Sequence, residues 1–70
     1  MSLFKSNPQK SLDRARDALA AAEQAATDAA AAFEADPTPA TATGTLIADQ
    51  RLANARKAVA SAEQEVADAR

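Results

Sequence analysis

The sequence contains no cysteine and no histidine. It therefore lacks disulfides, thiolate nucleophiles, imidazole bases and the usual zinc ligands. Carboxylates do recur at helical spacing, as in Asp13 and Asp17, but without a histidine or an inward-facing glutamate pair they indicate a solvated helix face. We expect no catalytic residue, no cofactor, no metal and no small-molecule substrate, and hence a protein that is not an enzyme.

Large hydrophobic side chains are also scarce. The apolar fraction is 47%, but 22 of the 70 residues are alanine, and only eleven residues are larger hydrophobes. A chain this short buries a modest share of its surface even with ordinary composition, and alanine adds little reach. The sequence therefore argues against a conventional globular core and predicts at most one domain.

Blocks of one charge and long apolar runs are missing as well. Eight basic and ten acidic residues are interspersed and give a net charge of −2, which makes nucleic acid an unexpected partner. The longest apolar run, residues 29–33, is far short of the roughly 20 residues of a membrane span. No apolar signal segment opens the sequence. These features predict a soluble chain, cytoplasmic or virion-associated, with the compartment left open.

What the sequence does contain is helix-forming residues in two long stretches. Asn7 followed by Pro8 is typical of a helix start, because Asn caps free amides and Pro suits the first helical position. Nothing interrupts a helix from there to about residue 35, where a segment with two prolines, residues 36–39, ends it. We expect an N-terminal tail over residues 1–7 and a single hairpin domain over residues 8–70, with the first helix at about 8–35.

The start of the second helix has two interpretations. Thr38 can act as N-cap with Pro39 in the first turn, or the helix can begin later, after Gly44. Because residues 41–44 are poor helix formers, we favour a loop over about 36–44 and a second helix over about 45–70. No stop signal precedes Arg70, so continuation of the natural chain beyond it stays open.

The two stretches resemble each other and share a heptad pattern. A shift of 40 residues matches ten of the eighteen residues in 12–29 with those in 52–69. This similarity fits either an internal duplication or two helices built from the same few residue types. With Leu12 and Leu52 at position a, larger residues recur at a and alanine at d. These positions define the predicted hairpin seam, which comprises Leu12, Ala15, Leu19, Ala22, Ala29, Phe33, Ala48, Leu52, Val59, Ala62, Val66 and Ala69.

An antiparallel register in which facing residue numbers sum to 81 pairs a large side chain with a small one in nearly every layer. The same register brings Arg16 near Glu63 and Glu23 near Arg56, two opposite-sign pairs that took no part in choosing it. The fold class predicted is all-α, an antiparallel two-helix hairpin in a close-packed, alanine-rich coiled coil. This pattern resembles the packing class called the Alacoil, in which alanine permits close helix approach.

Two features indicate a partner protein. Alanine continues beyond the seam onto one flank of the first helix at Ala18, Ala25 and Ala32, which either raises helicity alone or forms a second packing face. Leu46 and Ile47 are adjacent, so only one of them can face the seam fully. The apolar pair Leu3 and Phe4 in the tail either anchors in a partner's groove or has no binding role.

We therefore expect a non-enzymatic structural or interaction module that packs against copies of itself, as in a helical bundle, or against a larger assembly such as a virion. The alternative is a dimeric regulatory hairpin that binds RNA through basic residues at its open end, the end opposite the turn. These residues are Lys10, Arg14, Arg16 and Arg70. Neighbouring acidic residues dilute that basic patch, and aromatic residues for base stacking are nearly absent.

Overall fold

Two α-helices make up the structure, a computed structural model that describes residues 7–69. Helix α1 is Pro8–Ala35 and helix α2 is Pro39–Asp68, and the three residues 36–38 join them. The helices pack against each other along their length, and residues 7–69 contain no strand. The predicted all-α, two-helix hairpin is confirmed.

The first helix starts with the cap that the sequence predicts. The side-chain oxygen of Asn7 accepts hydrogen bonds from the backbone N–H groups of Gln9 at 3.0 Å and Lys10 at 3.4 Å, two of the amides that a helix start leaves without partners. At the other end, the N–H of Asp36 donates to the carbonyl of Ala32 at 3.0 Å. Pro37 follows directly, so α1 cannot continue.

The second helix begins at Pro39, six residues before the start favoured from the sequence, and that preferred start is wrong. Thr38 is the N-cap, and its hydroxyl accepts a hydrogen bond from the N–H of Thr41 at 3.2 Å. In return the Thr41 hydroxyl accepts from the N–H of Thr38 at 2.9 Å. This reciprocal pair is a capping box, with threonine in the place where glutamate or glutamine is usual.

The other threonine hydroxyls near the start of α2 are also hydrogen-bonded within the helix. The hydroxyl of Thr43 donates to the carbonyl of Pro39 at 2.9 Å, and that of Thr45 donates to the carbonyl of Thr41 at 2.8 Å. Each hydroxyl thus finds a partner one turn back, within the helix itself. Gly44 also has no positive φ, so it does not break the helix.

The helices meet along a narrow seam and leave the rest of their surfaces to solvent. The buried residues among 7–69 are Leu12, Ala48 and Ala62, and each of them keeps a few per cent of its surface exposed. The hairpin extends 54 × 20 × 13 Å with a radius of gyration of 16.0 Å, whereas a compact domain of this length has about 11 Å. The molecule is therefore a rod with little interior.

Candidate protein-interaction site

The predicted seam residues lie between the helices over most of the rod. On α1 the seam positions from Leu12 to Ala29 are buried or half-buried, and so are those on α2 from Ala48 to Val66. The same heptad also continues towards the turn at Thr45 and Thr41, both half-buried. Because α2 starts earlier than expected, these two threonines extend its inward face by two layers.

Two predicted seam residues are exposed. Ala69 is exposed and serves as the C-cap of α2, which ends at Asp68. Phe33 remains 39% exposed at the turn end of α1. Phe33 therefore sits at the edge of the seam, and part of its ring faces solvent.

The structure forms one of the two predicted ion pairs. Arg16 Nη2 and Glu63 Oε2 lie 3.9 Å apart, and more than half of each side chain is exposed. This pair lies beside a small groove at the open end, to which Leu12 and Val66 also contribute. It is the one ion pair within residues 7–69, so the structure does not bring Glu23 and Arg56 together.

Leu46 and Ile47 both face outward, and neither occupies the seam. Leu46 is 70% exposed and Ile47 is 47% exposed. Counting back seven residues from Leu52 places Thr45 at the inward a position, so Leu46 and Ile47 fall at b and c. The heptad assigns the inward place to a threonine, so both aliphatic side chains stay outside the seam.

The turn end of the rod carries an open apolar groove. Its lining residues come from both helices and are Phe33, Ala42, Thr45 and Leu46. The groove measures about 300 Å³. We call it the turn-end groove. Ala42 and Thr45 were not singled out from the sequence, although the heptad spacing from Leu52 would have identified Thr45.

The one side-chain hydroxyl that lines the turn-end groove already has a hydrogen-bond partner. The hydroxyl of Thr45 already donates to the carbonyl of Thr41 at 2.8 Å within α2. Its other walls are aromatic or aliphatic. An apolar side chain entering the groove would therefore lose its own contact with water and cover Phe33 and Leu46, without stripping a donor of its partner.

The alanine flank of α1 borders a second groove, about 350 Å³ in volume. Ala18 and Ala25 line it together with Arg51 of α2, whereas Ala32 does not contribute. Ala25 is half-buried, and Ala18 and Ala32 are exposed. This flank is apolar but shallow, since methyl groups are the largest side chains that α1 offers there.

The charged residues within 7–69 all lie on the exposed surface. Lys10 and Arg14 are exposed, and Arg16 has Glu63 as its partner. No cluster of three metal-ligating side chains occurs within residues 7–69. In the same range, neither helix combines the length and hydropathy needed to cross a bilayer. Leu3, Phe4 and Arg70 lie outside the described residues.

Comparison of the chain with protein-family models, with curated proteins and with solved structures finds no match.

Proposed function

We propose that the chain is a non-enzymatic interaction module whose turn-end groove mediates self-association. The observation that carries this proposal is the exposure of Leu46 and Phe33 on the two sides of one groove. Single exposed hydrophobic residues are ordinary in proteins. Here, however, two of only eleven larger hydrophobes in the chain meet across the turn at the same exposed place.

The shape of the hairpin supports association. A rod two helices thick, with three buried residues in its described part, gains little stability from its own interior. Small helical domains commonly reach adequate stability through oligomerisation, which buries more apolar surface per chain. A second copy that covers Leu46 and Phe33 would add that burial, at roughly 25 cal/mol for each Å² removed from water.

The non-enzymatic part of the proposal rests on the sequence, which has neither histidine nor cysteine. RNA binding, the alternative derived from the sequence, depends on basic residues at the open end. One of them, Arg16, lies beside Glu63, and this neighbour lowers the local positive charge that phosphate contacts require.

Sedimentation equilibrium of the full chain at concentrations from micromolar to millimolar tests the proposal. We expect the average mass to rise with concentration. In Leu46→Lys, the same average mass should require a protein concentration at least tenfold higher. Ser61→Lys is the matched control, because it adds the same charge at an exposed position of α2 more than three turns from the groove. Circular dichroism verifies that each variant stays helical.

A wild-type chain that remains monomeric throughout this range would contradict the proposal. Equal weakening by Leu46→Lys and Ser61→Lys would also contradict it, because the groove would then have no special part. If the chain is monomeric and binds RNA with a steep salt dependence, the RNA-binding alternative replaces it.

A further inference from the structure

We propose that the occupant of the turn-end groove is the segment Met1–Ser6 of a second copy, which inserts Leu3 and Phe4 and thereby joins chains head to tail. This inference rests on the proposed function and names the partner surface for the same groove. Four observations support it: the reach of the segment, its apolar content, its charge, and the placement of the two surfaces on the rod.

The segment Met1–Ser6 is too short to reach the groove of its own chain. From Asn7 to Phe33 the helix rises about 39 Å at 1.5 Å per residue, within a molecule 54 Å long. Phe4 is three residues before Asn7, and three residues span at most about 11 Å. The groove that Phe4 can enter must therefore belong to another molecule.

The apolar content of the segment fits the groove. Leu3 and Phe4 are adjacent and represent two of the eleven larger hydrophobes of the chain. The groove offers the ring of Phe33 on α1 and the side chain of Leu46 on α2. An aromatic ring buries about 150–250 Å² when it packs, and aromatic anchors in apolar pockets contribute a large share of binding energy at interfaces.

The charges of the two surfaces are opposite. From residue 28 to residue 50 the sequence has four acidic residues and no lysine or arginine, which gives this end of the rod a charge of −4. Asp49 is exposed one turn after Leu46 on α2, so its carboxylate lies on the same side of the helix as Leu46. The segment Met1–Ser6 has Lys5 directly after Phe4 and no acidic residue. Each exposed pair contributes about 1 kcal/mol or less, but the complementarity favours this orientation.

The two surfaces lie at opposite ends of the rod, because the segment leads into α1 at the open end and the groove is at the turn. A contact between unlike surfaces leaves one free segment and one free groove in every complex that has not closed into a ring. Such a heterologous contact produces open chains or rings rather than a closed symmetric dimer. Wild-type assemblies should therefore grow in steps with concentration.

The test is a complementation experiment by analytical ultracentrifugation. Phe4→Ser removes the anchor and keeps the groove, whereas Leu46→Lys blocks the groove and keeps the anchor. Each variant alone should be monomeric at concentrations where the wild type forms larger species. An equimolar mixture should give a 1:1 dimer that grows no further, since only one productive contact is available. Ile47→Lys, an equal change at an exposed neighbour that does not line the groove, should assemble like the wild type.

The outcomes separate the two proposals. If the wild type assembles and Phe4→Ser assembles equally well, the head-to-tail inference is overturned while self-association stands. If both variants are monomeric and their mixture stays monomeric, the inference is also overturned, because a symmetric contact explains the result. If the wild type never assembles, the proposed function fails, and the inference fails with it.

Discussion

Arg16 Nη2 of α1 lies 3.9 Å from Glu63 Oε2 of α2, so two residues far apart in the sequence meet across the open end of the hairpin. The register predicted from the sequence, in which facing seam residues sum to 81, also places these two residues near each other. It centres the turn between residues 40 and 41, however, and these residues lie inside α2. Because more than half of each side chain is exposed, water and salt screen the attraction, and the pair favours one alignment of the helices without driving their folding.

A double-mutant cycle on this pair should show a small, positive coupling. Arg16→Glu and Glu63→Arg should each lower the free energy of unfolding, and the double reversal should recover part of the loss, with a coupling of about 0.2–1 kcal/mol that declines at high salt. Thermal unfolding followed by circular dichroism at fixed protein concentration measures it. The same cycle at Glu23 and Arg56, which form no ion pair, is the control. Equal coupling in both cycles would contradict the structure.

Enlarging a buried alanine in the seam should destabilise the hairpin. Ala62 is buried on α2, and the register places it opposite Leu19. Ala62→Leu should cost about 1–3 kcal/mol, because the added atoms must push the helices apart. Ala60→Leu, at an exposed position of the same helix, should change stability by less than about 0.5 kcal/mol. Denaturant unfolding distinguishes them, and a harmless Ala62→Leu would mean that the seam is not closely packed.

Loss of the capping box should destabilise the start of α2. Thr38→Ala removes the hydroxyl that accepts from the N–H of Thr41, and we expect a loss of about 0.5–2 kcal/mol. Thr38→Ser should keep most of the stability, since its hydroxyl can accept the same bond. Thr43→Ala, which removes only a bond to a carbonyl within the helix, should have a smaller effect. Amide hydrogen exchange in the first turn of α2 reports the change directly, and unchanged exchange in Thr38→Ala would show that the cap has no stabilising role.

Replacing the one glycine should stabilise the protein. Gly44 lies inside α2, and a Cβ added there meets no atom within 4 Å. Gly44→Ala should therefore raise the free energy of unfolding by about 0.8–1 kcal/mol, the difference in helix propensity between the two residues. The reverse change at an exposed position of the same helix, Ala53→Gly, should lower it by a similar amount. If Gly44→Ala is destabilising, residues 39–44 are not helical in solution.

The sequence predicts the hairpin well because its pattern is strongly periodic. Alanine at position d and larger residues at position a specify which faces meet, and Asn7 with Pro8 specifies where α1 begins. The start of α2 was placed too late, since intrinsic propensity disfavours a Thr-rich segment with a glycine. The hydroxyls of Thr38 and Thr41 satisfy the first turn reciprocally, and this local capping outweighs the low propensity of the residues that follow.

The turn-end groove was harder to anticipate for a related reason. The sequence shows that Leu46 and Ile47 cannot both face the seam. Which residues lie beside Leu46, however, depends on the position of the turn. With α2 starting at Pro39, Ala42 and Thr45 become helical and stand beside Phe33. With a start at residue 45, Ala42 would have belonged to the loop. The error in the helix boundary therefore concealed the groove.

The most direct test of self-association through the turn-end groove is a dilution series of two-dimensional amide NMR spectra of the full chain. As concentration rises from micromolar to millimolar, the largest changes in chemical shift or line width should occur in the segment Met1–Ser6 and at the groove residues Phe33, Ala42, Thr45 and Leu46. Changes confined to the alanine flank of α1, or spectra that do not depend on concentration, would contradict the account.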